Sequence, residues 1–407
     1  MKLEPATEPA STVGLRPYSQ VFAPFLCGMF AFIDLYCTQP LLPLLSRVFH
    51  ASEAKVSWTI SASTLGVAFS AGMLAIFAER VDRKKTIVSS MTALAVCTLL
   101  TATATNLPTL AMWRLLQGVV TPGIFIITIA YATEEWPALL VPRVMSFYVA
   151  GTVFGGFMGR MLGGLIAEEY GWRSVFVLLG LVGLGGAGLT QWLLRPARTR
   201  PPRIAASSKL APILANLRSR RLFATFGIGF CMLFTLVATF SYITFYLSAP
   251  PFDLSTKQLS YLFAVYLCGL GTTLAAGTVL ARIGLRHAMI AAIAACITGA
   301  MLTLAPSLVV IALGLAVEAS GVFVAQTCAN SFLRDAAPAG SRVSAAGMYI
   351  CSYYIGGTVG GILPGLFWKY GGWPGCVALV IVILLVAGSA AIFGWRPQLD
   401  PPDPIPL

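Results

Sequence analysis

The chain has 407 residues, a net charge of +12, 57% hydrophobic residues and only 10% charged ones. Its mean hydropathy is +0.82. Such a composition excludes an ordinary soluble globule, and the placement of the cations, taken up below, excludes a nucleic-acid binder.

Twelve apolar runs, each long enough to cross ~30 Å of hydrocarbon, are predicted at 18–46, 56–78, 86–105, 109–132, 143–166, 173–194, 222–248, 257–281, 288–305, 307–332, 343–367 and 374–394. Backbone groups in lipid must be satisfied internally, so these runs are read as helices and the fold class as an all-α membrane protein. A polar leader (1–17) precedes the first run, which is too long for a signal peptide and is followed by eleven more.

Placing the amino terminus inside puts 20 of the 27 Lys and Arg in cytoplasmic segments, 5 outside and 2, Arg114 and Arg160, within spans. This bias predicts both termini in the cytoplasm, and the expected location is a bacterial-type inner membrane, crossed many times. The positive charge is thus a topology signal. Residues 195–221 hold eight of these cations and are rich in Pro and Ser. They read as a cytoplasmic linker lying on anionic headgroups, joining a six-helix bundle (18–194) to a second (222–394), with a tail at 395–407.

Echoes near an offset of 200 residues support a duplication. The stretch Glu79-Arg80-Val81-Asp82-Arg83 is answered by Ala281-Arg282-Ile283-Gly284, and Tyr170-Gly171-Trp172 by Tyr370-Gly371-Gly372-Trp373. The run from Gly151 to Gly156 is answered by Gly356 to Gly361. Parallel repeats of this kind place a substrate site at their interface, near the midplane. Gly155, Gly159 and Gly163 in span 5, with Gly360 in span 11, form ridges of small residues. These serve either static packing or helices that slide.

Four ionisable residues fall inside spans: Asp34, Arg114, Arg160 and Glu318. Each carries an insertion cost of roughly 2.5–3.5 kcal/mol and therefore needs a role. At about 1.5 Å per residue, Asp34, Arg114 and Arg160 reach overlapping depths in the outer half, where a carboxylate can meet a guanidinium. Asp34 with Arg114 is the candidate proton-coupling pair, the alternative being a neutralised packing pair. Gln117 shares a face with Arg114. Glu318 is open between a cationic-substrate contact, a proton carrier and a structural partner; Arg160 is open between an anionic-substrate contact and a structural partner. Tyr36, Gln39, Tyr242, Tyr246, Gln326, Asn330 and Tyr353 are candidate cavity residues, each with packing as its alternative. Glu134 and Glu135 read as a solvated cap or as partners for Arg143.

Other chemistry lacks support. The nine cysteines all lie within spans without metal spacing, and the two histidines, His50 and His287, lie near span ends. No phosphate-binding Gly-Lys-Ser/Thr loop occurs, so no enzyme, metal or cofactor is expected; the energy source is then an ion gradient, with a proton gradient as the expectation, or none for a uniporter.

The loop from Ala75 to Lys85 resembles the signature between spans 2 and 3 of the major facilitator superfamily, Gly-x-x-x-Asp-Arg-x-Gly-Arg-Arg. It differs at Ala75, Glu79 and Asp82. Arg114-Leu115-Leu116-Gln117-Gly118 resembles its span-4 motif, Arg-x-x-Gln-Gly. Gly155 to Gly164 resembles the span-5 antiporter motif, with Arg160 at its proline position. The resemblance implies twelve helices in two pseudo-symmetric bundles and the drug:proton antiporter branch, similar to the predicted arabinose-efflux-permease group. It further implies alternating-access export of a drug-like or sugar-type small molecule by a monomer. Import or facilitated passage through the same fold is the alternative. It also implies a cytoplasmic latch drawn from Glu79, Arg80, Arg83, Arg143 and Arg282.

Overall fold

A computed structural model describes residues 18–77, 81–137, 139–195, 210–269, 271–272, 283–338 and 341–395. Among these residues, the regular structure is helical. The first half holds α1 (Tyr18–Ile33), a 3₁₀ turn (Gln39–Leu41), α2 (Leu42–Phe49), α3 (Glu53–Phe77), α4 (Arg83–Thr101), α5 (Leu107–Val120), α6 (Pro122–Glu135), α7 (Val141–Tyr170) and α8 (Trp172–Leu193). A short helix, α9 (Leu210–Arg218), leads to α10 (Arg220–Leu247), α11 (Thr256–Leu262), α12 (Leu285–Leu302), α13 (Leu308–Ala336), α14 (Arg342–Ile362) and α15 (Pro364–Gly394).

Seven helical stretches, counting α5 with α6, are long and apolar enough to cross a membrane. The other described helices carry breaks or polar faces. On α3, for example, Ser57, Thr59, Ser61, Ser63 and Thr64 are all fully buried, so its polar face is turned into the bundle and away from lipid.

Breaks follow local chemistry. Pro122 lacks an N–H and divides span 4 into α5 and α6, while the Thr121 hydroxyl donates to the Gln117 carbonyl at 2.6 Å. Span 1 stops earlier than its prolines suggest. The helix ends at Ile33, residues 34–38 form a turn, and Pro40 and Pro43 then start the 3₁₀ turn and α2. Asp82, which departs from the family pattern, caps α4 by accepting the Lys85 N–H at 3.0 Å. Gly171 (φ 79°) and Gly372 (φ 55°) occupy the positive-φ turns of the two Tyr-Gly-Trp echoes. After each turn a tryptophan, Trp172 or Trp373, is buried.

The halves pack by the same scheme. In the first, α1 lies on α7, α3 on α5 and α4 on α8; in the second, α10 lies on α14, and α12 on both α13 and α15. Between them, α3 packs on α14 and α7 on α11. The glycine ridges explain the closest pairs. A Cβ placed at Gly151, Gly155, Gly159 or Gly163 would come under 3.0 Å from the carbonyl of Phe25, Met29, Ile33 or Cys37, and one at Gly356 or Gly360 would meet Phe230 or Phe234 in the same way. Gly155, Gly159, Gly163 and Gly360 therefore seat helices within one half. The glycines that meet the opposite half lie beside them: Gly164 against Ser260, Gly361 against Ser61 and Gly365 against Ala54.

Candidate functional site

A cavity of about 320 Å³ opens between the two halves. Its walls come from α1 (Phe32), the turn after it (Tyr36), α6 (Phe125), α7 (Gly156, Arg160), the segment after α11 (Tyr266), α13 (Gln326, Asn330) and α14 (Tyr349, Tyr353, Tyr354). By position along their helices, these residues lie at mid-depth or towards the end that carries Tyr18 and Trp395. The far end is closed. There the Ser61 hydroxyl donates to the Thr358 carbonyl at 2.9 Å, Thr64 and Thr358 share a hydroxyl contact at 3.1 Å, and Lys257 lies 3.9 Å from Glu169. The Gln39 amide donates to Ser241 at 3.3 Å across the same seam.

Arg160 sits at the closed end of the cavity, only 2% exposed. Its Nε–H donates to Gln39 Oε1 at 2.6 Å, one Nη to the Gly156 carbonyl at 2.7 Å and the other to the Tyr266 hydroxyl at 3.4 Å. The guanidinium carbon lies 4.7, 5.4 and 4.4 Å from the ring centres of Tyr36, Phe263 and Tyr266. Cation–π contacts of this kind offset part of the desolvation cost, each contributing about 0.5–2 kcal/mol. None of the ion pairs among the described residues includes Arg160.

The second site is polar and lies off the cavity. Arg114 is fully buried. Its guanidinium donates to the Asp34 carbonyl (2.7 Å), the Thr59 carbonyl (3.1 Å), Gln117 Oε1 (2.6 Å), the Ser63 hydroxyl (3.3 Å) and, by a short bond, the Leu35 carbonyl. Gln117 passes the chain on, donating to Thr98 at 2.9 Å and Thr101 at 3.3 Å. The expectation that the Asp34 carboxylate meets the Arg114 guanidinium is corrected here. Arg114 takes the backbone carbonyls that the break after Ile33 sets free, because an unpaired carbonyl in a lipid-embedded bundle is costly. The Asp34 carboxyl is buried beside it with Oδ1 lacking a partner.

Of the expected cavity residues, Tyr36, Arg160, Gln326, Asn330 and Tyr353 line the cavity, and Gln39 stands behind Arg160. Gln39 and four others do not line it. Gln117 belongs to the Arg114 network. Tyr242 donates to the Gly361 carbonyl at 3.1 Å, and Tyr246 stacks on Trp373 with centroids 6.0 Å apart. Glu318 is fully buried, accepts the Thr239 hydroxyl at 2.6 Å through Oε1, and leaves Oε2 unpartnered. Sequence reasoning missed Tyr266 and Tyr354, since no charge or repeat stands beside the first within span 8, and the second is one of two adjacent tyrosines.

Of the latch residues, Glu79, Arg80 and Arg282 lie outside the described residues. Arg83 pairs with Glu134 at 2.7 and 3.0 Å, tying the start of α4 to the end of α6. Arg143 lies in the first turn of α7.

A multi-pass helical bundle with a largely aromatic cavity, carrying a few polar groups, between two packed halves defines a membrane transporter of small molecules. The family model for the Major Facilitator Superfamily matches residues 24–357 and 248–407. An uncharacterised MFS-type transporter of Bacillus subtilis, YybF, is 32% identical over 367 residues, 90% of this chain and 91% of its own. The inner membrane transport protein YnfM of Escherichia coli is 30% identical over 370 residues, 90% and 88% of the two chains. Among solved structures, a bacterial homologue of the lysosomal transporter Spinster, inward-facing and unoccupied, aligns with a TM-score of 0.74 at 17% identity over 94% of this chain and 98% of its own. The chain belongs to the Major Facilitator Superfamily. It is an integral transporter and no enzyme, of a family that needs no cofactor.

Proposed function

We propose that this transporter exports a small organic compound in exchange for protons, by alternating access between two six-helix bundles, 18–194 and 222–394, with twelve spans and both termini cytoplasmic. The observation that carries the reading is the pairing of a cavity between the halves with a buried acid, Asp34, whose Oδ1 has no partner. An acid so placed, two residues from cavity-lining Tyr36 and beside the Arg114 network, is suited to take up and release a proton as the halves rock. The charge bias of the loops orients the closed far end outwards, so the described state is open to the cytoplasm. The name of the Escherichia coli relative supports the inner membrane.

In this cycle the outer seam of Ser61, Thr64 and Thr358 opens while the loop around Glu79, Arg80, Arg83, Arg143 and Arg282 closes the cytoplasmic side. Arg160, at the antiporter motif's proline position, faces the cavity and joins it to the opposite half through Tyr266. The test is flux in reconstituted vesicles under an imposed pH gradient. An inward proton gradient should drive the compound out, and Asp34→Asn should lose that coupling while remaining folded. Gradient-driven activity of Asp34→Asn equal to that of the unmodified protein would sink the proton role, and flux along the proton gradient would establish import instead.

A further inference from the structure

We infer that the cavity takes an amphipathic monocarboxylate, an apolar or aromatic body carrying one carboxylate, held at the closed end by Arg160. The inference rests on the reading of this cavity as the substrate site. Arg160 has five N–H groups, and the hydrogen bonds described use three of them, leaving one N–H on each Nη. Two parallel N–H donors are the geometry that matches a carboxylate. The rings of Tyr36, Phe263 and Tyr266 and the Gln39 amide hold the guanidinium in place before any ligand arrives.

A second observation points the same way. Tyr349 lines the cavity, is 4% exposed, and its hydroxyl has no partner. It is a donor held ready in an otherwise aromatic wall that includes Phe32, Phe125, Tyr353 and Tyr354.

Charge sets the class further. Among the described residues that line the cavity, Arg160 is the one cation and none is Asp or Glu. A cationic compound would meet no counter-charge, and a doubly charged phosphate monoester would leave one charge unmatched. The Glu318 carboxyl is engaged by Thr239 and forms no ion pair with Arg160. One carboxylate balances the site.

The test is equilibrium binding to the purified full-length protein, by thermal shift and tryptophan fluorescence. Its probes are phenylacetate, benzoate and naphthoate, each with its amide, and phenethylamine. The carboxylates should bind at least roughly ten-fold more tightly than their amides, as loss of a charge-assisted pair predicts. Arg160→Gln should erase that preference. Arg160→Lys, which keeps the charge without the fork, should retain part of it, and serves alone if the Gln variant does not fold. Tyr349→Phe should weaken carboxylate binding several-fold.

Absence of carboxylate selectivity across the panel, preference for the amine, or unchanged selectivity in Arg160→Gln would each overturn the inference. Because no gradient is involved, the two readings fail separately. Arg160-dependent carboxylate binding without gradient-driven flux would defeat proton coupling alone. Proton-driven flux of a neutral or cationic compound, without carboxylate binding, would defeat this inference alone.

Discussion

Phe25 and Met29 of α1 present their carbonyls to Gly151 and Gly155 of α7, and Phe230 and Phe234 of α10 present theirs to Gly356 and Gly360 of α14, every pair related by an offset of 205 residues. The same offset sets Asp34 opposite Thr239. Around these two equivalent positions the halves diverge. In the first, the acid stands on the broken span 1 and a guanidinium on α5 caps the break. In the second, α10 runs unbroken, the span-1 acid is replaced by a threonine, and the acid, Glu318, stands on α13 and accepts that threonine's hydroxyl. The backbone frame of a duplicated bundle is held by glycine-to-carbonyl approach and tolerates no side chain there. The polar sites inside the frame are free to differ, because each needs only its own hydrogen bonds satisfied.

This asymmetry can be broken experimentally, and the largest effect is expected at Arg114. Arg114→Ala leaves the carbonyls of Asp34, Leu35 and Thr59 without their donor, a loss of about 3–5 kcal/mol for a buried charged network. Glu318→Gln keeps the bond to Thr239 and should cost less than about 1.5 kcal/mol. Thermal melting of the two variants in one detergent checks this, and equal losses would remove the distinction between the halves.

Next comes transport itself. Asp34→Asn should reduce gradient-driven flux to background while Glu318→Gln sustains it; the reverse result would move the proton to the second half. The frame, by contrast, should respond alike in both halves. Gly155→Ala and Gly360→Ala each force a methyl against a carbonyl and should each destabilise by about 1–3 kcal/mol, read as matched falls in melting temperature.

The smallest effect is expected at the seam. Thr358→Val removes the hydroxyl contact with Thr64, worth about 0.5–1.5 kcal/mol, and should shift the population towards the state open at the far end. Thiol labelling of a cysteine placed at Ser241 would report that shift, and unchanged labelling would show that the seam is held elsewhere.

Much of the frame was legible because it is periodic. Glycines every four residues, the Tyr-Gly-Trp echo and the basic loops all register in one dimension, and the structure puts positive-φ glycines and buried tryptophans where the echo lies. The site was less legible. Helix rise puts Asp34 and Arg114 at overlapping depths, yet depth alone does not show that the guanidinium faces carbonyls and leaves the carboxylate aside. Tyr242, Tyr246 and Arg160 look alike as polar groups within spans, and only Arg160 reaches the cavity.

The sequence by itself determined the class of environment. Long apolar runs, a one-sided distribution of cations and four embedded charges follow from the cost of exposing polar groups to lipid, which depends on composition and spacing. Tertiary structure alone decided partners. Which helix covers which face, which carbonyl a broken helix offers to Arg114, and which rings enclose Arg160 depend on contacts between residues far apart in the chain, 80 positions from Asp34 to Arg114 and 121 from Gln39 to Arg160. Directional hydrogen bonds and close packing select among such contacts only once the helices have assembled.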